Sequence, residues 1–138
     1  MKSFNEFGRQ SVLLPYLSDY ISSVDGNWNY ITPEELFKKD LSKLFLLDVR
    51  KRSDYNSGHI SGSKNIFWKD LLDNLELLPV DRKVYLICYV GHTSSQVMVI
   101  LSLLGYDVVS LKFGMGISPV EGVPVAGWSD FGFNIDIN

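Results

Sequence analysis

One cysteine, Cys88, is all that the 138-residue chain contains. That excludes an intramolecular disulfide and any multi-cysteine zinc site, and nothing in the sequence calls for an oxidising compartment. Dense basic blocks are also missing. The longest basic run is Arg50-Lys51-Arg52, and 13 basic against 16 acidic residues leave a net charge of −3. A nucleic acid or an anionic membrane is therefore disfavoured as a partner. Long apolar runs are absent too: Val84–Val90, counting Cys and Tyr, and Val97–Leu101 fall far short of a membrane span. The N-terminus offers Lys2 and then only Val12-Leu13-Leu14 before Pro15, so no signal-peptide core is visible. The expectation is a soluble, cytoplasmic protein, unless an export signal precedes Met1, with no metal and no cofactor.

What is present suits one globular domain. Hydrophobic residues make up 46% and charged residues 21% of the chain, and a chain of this length buries roughly two-thirds of its unfolded surface. Met1–Asn29 differs from the rest, being rich in Ser, Asn and Asp. Within it Leu13, Leu14, Leu17, Tyr20 and Ile21 are spaced to share one face of a short helix. Residues 1–29 are read as an extension that packs on the domain or on a neighbour, 30–125 as the domain and 126–138 as a C-terminal tail.

Thr32-Pro33-Glu34-Glu35 carries the marks of a helix start, with Thr as N-cap, Pro in the first turn and Glu35 closing a capping box. Leu44–Val49 and Val84–Cys88 are short apolar runs of the kind found in strands covered on both faces. Asn65–Trp68 and Val108–Phe113 predict two more strands. Lys69–Leu78 is helical by spacing and stopped by Pro79, and Ser94–Leu104 is a helix, apolar nearly all round, ended by Gly105. Alternating strands and helices predict an α/β fold: an open parallel sheet of about five strands with helices on both faces.

In such folds ligands bind beyond the carboxyl ends of the strands. Cys88 stands at that end of its strand, followed by Tyr89-Val90-Gly91-His92-Thr93 and a helix expected from Ser94. Backbone N–H groups and the helix dipole at such a turn favour thiolate over thiol, and Gly91 lets the backbone curl without a Cβ in the way. A lone cysteine in an apolar strand is otherwise a small buried hydrophobe.

Leu47-Asp48-Val49-Arg50, Tyr55 and Gly58-His59-Ile60-Ser61-Gly62-Ser63-Lys64-Asn65-Ile66 resemble the signature of rhodanese-like domains. Cys88-Tyr89-Val90-Gly91-His92-Thr93-Ser94 resembles their active-site loop, and Gly105–Val108 and Phe113–Gly116 resemble the segments that follow. The resemblance runs from about Tyr30 to Gly116. It implies a sulfurtransferase in which Cys88 carries sulfur as a persulfide and the amides of Tyr89, Val90, Gly91, His92, Thr93 and Ser94 hold the terminal sulfur. It also implies that Asp48 and Arg50 brace the loop, as an Asp/Arg pair at a strand end can do by charge-assisted hydrogen bonds; the alternative is an ordinary surface pair. His92 is either an anion contact or proton donor, or a solvent-facing side chain. His59 is read as a structural hydrogen-bonder rather than a catalyst, and Trp68 and Trp128 as packing residues, the alternative being a substrate-pocket wall.

Departures from the family matter as well. Ser61 replaces a usual Pro, the loop lacks the Arg or Lys of many thiosulfate-using members, and Ile117-Ser118-Pro119 stands where a Trp commonly follows the glycine turn. Phosphatases and arsenate reductases of this fold use Cys-x5-Arg, whereas Ser94 occupies that Arg position; a dianion would lack its planar counter-charge. The leading expectation is a monomeric or weakly dimeric enzyme that passes sulfur from a small donor to cyanide, a small thiol or a protein thiol. The runner-up is a relay or protein-binding module with little turnover.

Overall fold

The computed structural model describes residues 12–116 and 126–138. Five strands form one parallel sheet in the order β1-β6-β5-β2-β4: β1 Tyr30–Ile31, β2 Phe45–Asp48, β4 Lys64–Asn65, β5 Val84–Ile87 and β6 Val108–Leu111. A separate antiparallel ribbon joins β3, His59–Ile60, to β7, Ile135–Asp136. The helices are α1 Leu14–Ser23, α2 Pro33–Phe37, α3 Arg52–Asn56 and α4 His92–Leu103, with 3-10 turns at Leu41–Lys43, Trp68–Leu77 and Trp128–Phe131. This is the open α/β sheet expected from the sequence.

The period-2 alternation of side chains divides the core into two layers. Phe45, Leu47, Val84, Leu86, Cys88 and Val108 face Val97, Met98 and Leu101 of α4. Leu46, Tyr85, Ile87, Val109 and Leu111 face Leu36 of α2, Met115 and Trp128. Apolar residues at consecutive positions are thus consumed on both sides, which is why β2, β5 and β6 are continuous hydrophobic runs.

Helix α2 begins as the sequence indicated. Thr32 Oγ1 accepts from Glu35 N at 3.2 Å, and Glu35 Oε2 accepts from Thr32 N at 2.9 Å. These bonds to Thr32 hold the Glu35 carboxyl below its ordinary range.

Four local expectations need correction. The fourth strand stops at Asn65, although the Ile66 and Trp68 amides still bond the Asp48 and Val49 carbonyls. The helix expected at Lys69–Leu78 is a 3-10 stretch broken at Asn74, whose side chain takes the Asp70 carbonyl at 2.7 Å; asparagine competes in this way with the helix ladder. Strand β6 ends at Leu111, short of Phe113, which adopts φ +61°. Helix α4 begins at His92, not Ser94, with Gly91 as its N-cap at φ +97°.

The two ends of the chain behave differently. Residues 1–11 and Ile117-Ser118-Pro119 lie outside the described residues. Helix α1 holds Leu14, Leu17, Tyr20 and Ile21 of the expected apolar set, with Leu13 as its N-cap, and packs against α4, yet buries none of its residues. Residues 126–138, expected as a tail, fold back on the domain: Trp128 is buried, donates Nε1–H to the Asn134 carbonyl, and is followed by β7.

Candidate active site

Cys88 follows β5 at the carboxyl end of the sheet and is 1% exposed. It lies on the face covered by α4, so its side chain meets the first turn of that helix. The Gly91 amide donates to Cys88 Sγ at 3.1 Å, and Ser94 Oγ lies 3.2 Å from the same sulfur. The amides of His92, Thr93 and Ser94 open α4 and have no intrahelical acceptor, so the positive end of the helix is turned to this corner.

Two glycines make the turn possible. Gly91 adopts the left-handed conformation, and a Cβ there would lie 3.2 Å from the Phe113 amide nitrogen. Gly114, at φ +51°, leaves even less room: its Cβ would fall 2.3 Å from the Cys88 carbonyl oxygen. That carbonyl accepts from Met115 N at 2.9 Å, and the Tyr89 carbonyl from Gly116 N at 3.0 Å. The segment after β6 therefore clamps the backbone on either side of the Cys88–Tyr89 peptide.

Asp48 and Arg50 are both buried, at 0% and 1% exposure. Arg50 donates from Nε and Nη2 to the Asp48 carboxylate, at distances down to 2.7 Å, and from Nη2 to the Gly58 carbonyl at 2.7 Å. Asn65 Nδ2 ties down the Asp48 and Arg50 carbonyls at 3.0 and 2.9 Å. This is no surface pair. Its hydrogen bonds fix the connection after β2, and Arg50 reaches the cysteine loop through the ring of Tyr89, with Cζ 5.8 Å from the ring centroid.

Tyr89 supplies the remaining link. Its hydroxyl donates to Asp54 Oδ2 and accepts from Lys51 N at 3.4 Å. Burial, and then the Asp54 carboxylate, push its phenol above the usual tyrosine range. Val90 and Thr93 are half-buried, and His92 is exposed on the outer side of the turn. His59 is buried, stacked on Tyr55 at 3.8 Å, with Nδ1 2.9 Å from the Tyr55 carbonyl.

The sequence reading brought Cys88, Gly91 and Ser94 together but missed several neighbours. Ser110 of β6 lies 2.7 Å from Ser94 Oγ, and both serines are fully buried. A serine in the middle of the apolar run Val108-Val109-Ser110-Leu111 was the available signal. Asn65 stood in the stretch that resembles the family signature without a role of its own, and Asp54 carried no signal, since its spacing to the cysteine loop is set only by the fold. Two hollows of about 650 and 690 Å³ lie elsewhere, at the amino ends of β5 and β6 beside α1 and α2. Among the described residues, no three or more His, Cys, Asp or Glu gather to hold a metal, and no helix is long and apolar enough to cross a membrane.

A family model described as the rhodanese-like domain matches residues 33–116. The adenylyltransferase and sulfurtransferase UBA4 of Yarrowia lipolytica is 36% identical over 92 residues, covering 65% of this chain and 23% of that protein. The thiosulfate sulfurtransferase GlpE of Stutzerimonas stutzeri is 29% identical over 85 residues, covering 61% and 78%. The chain thus spans under a quarter of the first relative and most of the second. A rhodanese-related protein of Thermoplasma volcanium superimposes with a TM-score of 0.66 at 25% identity, covering 79% of this chain and 98% of that one. A rhodanese-like domain protein of Staphylococcus aureus gives 0.60 at 29% identity, covering 71% and 98%. The match runs from the start of α2 through the turn that clamps Cys88, so the chain belongs to the family of rhodanese-like domains.

Proposed function

We propose that this chain is a sulfurtransferase that moves a sulfane sulfur through a persulfide on Cys88. The observation that carries the reading is the sulfur's position: at a strand end, 3.1 Å from the Gly91 amide, against the open first turn of α4. Relatives named as sulfurtransferases support it.

In the first half-reaction the Cys88 thiolate attacks the outer sulfur of a donor. With thiosulfate the S–S bond breaks, sulfite leaves with the bonding electron pair, and the cysteine becomes a persulfide anion. In the second, an acceptor such as cyanide or a thiolate takes the terminal sulfur, and the Cys88 thiolate departs. No cofactor and no net redox change are needed. The amides from Tyr89 to Ser94 hold the terminal sulfur as an anion, because preorganised N–H groups stabilise charge without a counter-ion. Asp48 and Arg50 fix the connection against which Tyr89 rests. With one cysteine in the sequence, release goes to an external thiophile, whether cyanide, a small thiol or a protein thiol.

A specific observation favours a second reading, a relay module charged by another protein's persulfide. The loop holds no Arg or Lys, and the Arg50 guanidinium is spent on Asp48 and the Gly58 carbonyl. A dianionic donor finds no fixed cation there. Thiocyanate formation from thiosulfate and cyanide separates the two readings: saturable turnover supports the enzyme, whereas loading by a protein persulfide without that turnover supports the relay. Phosphatase chemistry is disfavoured by Ser94 at the Arg position, and inertness toward an aryl phosphate checks it.

A further inference from the structure

Ser94 Oγ has one proton and three acceptors in reach: Cys88 Sγ at 3.2 Å, the Gly91 carbonyl at 3.2 Å and Ser110 Oγ at 2.7 Å. A hydroxyl donates once and accepts twice, so where that proton goes is decided by the neighbours. The Gly91 carbonyl does not depend on it. Ser95 already serves that oxygen twice, from Oγ at 2.6 Å and from its amide at 3.2 Å. Ser110 has a different constraint. It is fully buried in β6, and its hydroxyl meets Ser94 Oγ.

We propose that Ser110 is a positioning residue for Cys88 that acts through Ser94: the Ser110 hydroxyl donates to Ser94 Oγ and so commits the Ser94 proton to the sulfur. The inference rests on the sulfurtransferase reading for its purpose, since a thiolate at Cys88 is the nucleophile of one half-reaction and the leaving group of the other. Both forms gain from a hydroxyl donor that is itself polarised from behind, as chained hydrogen bonds reinforce one another in a low-dielectric interior. When sulfur is bound, the charge moves to the terminal atom, and Ser94 can turn back to the Gly91 carbonyl without leaving a buried group unpaired.

The titratable and charged groups on the elements around Cys88 are Asp48 and Arg50 at the end of β2, Tyr85 on the opposite face of β5, Tyr89 in the loop, His92 on α4 and Lys112 after β6. Among the described residues the Gly91 amide donates to Sγ, and Ser94 Oγ is the side-chain hydrogen-bond partner of the same atom. The serine pair is thus the adjustable part of the sulfur's surroundings.

The test uses the single cysteine, whose alkylation by iodoacetamide can be followed across pH in the intact chain. Ser94→Ala should slow alkylation near neutral pH roughly ten- to a hundred-fold, the loss of a hydrogen bond to a charged group. Ser110→Ala should slow it roughly three- to ten-fold and move the pH–rate profile to higher pH. Ser110→Thr, which keeps the hydroxyl on a strand-favouring residue, should restore both. The double variant should match Ser94→Ala, because Ser110 has no route to the sulfur without Ser94. An unchanged profile in Ser110→Ala, or a loss that adds in full to that of Ser94→Ala, would overturn the proposal. Should Ser110→Ala fail to fold, ¹³Cβ shifts in the unmutated protein decide. Those of Ser94 and Ser110 should follow Cys88 ionisation while that of Ser95 does not; the reverse overturns the relay. Alkylation needs no sulfur donor, so a protein that makes no thiocyanate can still show the relay, and the two claims fail separately.

Discussion

The cysteine loop has two unlike sides. On its inner side Cys88, Ser94 and Ser110 are fully buried, the Cys88 carbonyl is capped by Met115, and Gly114 has no space for a side chain. Next to it Asp48 and Arg50 form an ion pair closed from water. The outer side is looser: Tyr89 is half-buried and tied to Asp54, and His92 is exposed. The inner side fixes where the Cys88 sulfur is, and under the proposed function the outer side is where a donor or acceptor would be met.

Substitutions can break this contrast. The largest effect is expected from Arg50→Ala, which strands a buried carboxylate and should cost about 3–5 kcal/mol in urea unfolding. The paired Asp48→Ala/Arg50→Ala variant should lose less than the two single losses summed, because the stranded charge is gone. Gly114→Ala comes next, at about 3 kcal/mol, with sulfur transfer falling as the Cys88 carbonyl is displaced. If either cost no more than an outer substitution, the contrast would collapse.

Outer-side changes should be smaller. Tyr89→Phe removes the bond to Asp54 and should cost about 1 kcal/mol at neutral pH. It also has a pH signature. The folded-state value of this phenol is raised by burial and by Asp54, so its contribution is fully present below the unfolded value of 10.0 and is lost as pH climbs through the higher folded value. The wild type should therefore lose stability more steeply than Tyr89→Phe does as pH rises from 10.0 toward the folded value. His92→Arg, the mildest change, should shift the unfolding midpoint by less than about 0.5 kcal/mol. It should nonetheless lower the KM for thiosulfate by supplying the loop's missing cation.

The same division explains what could be read from the sequence. Residues 44–49, 84–88 and 108–111 announced their strands because each is an almost unbroken apolar run, interrupted only by Asp48 and Ser110, and Thr32–Glu35 announced a helix because its capping bonds are local. Cys88 and Gly91 were legible for the same reason: three residues and one backbone turn decide their geometry. Strands β1, β3 and β7 are two residues each, too short for any periodicity, and form only because a distant segment presents its edge. Trp128 gave no sign that it completes the core from a segment resembling a tail. Ser110, Asp54 and Asn65 became part of the site through sheet order, which places β6 and β2 on either side of β5.

The central claim is that Cys88 takes up sulfur. Intact-mass spectra after incubation with thiosulfate or polysulfide should show the gain of one sulfur atom, reversed by a reductant and absent in Cys88→Ser. No gain with any sulfane donor, or the same adduct in Cys88→Ser, would contradict it.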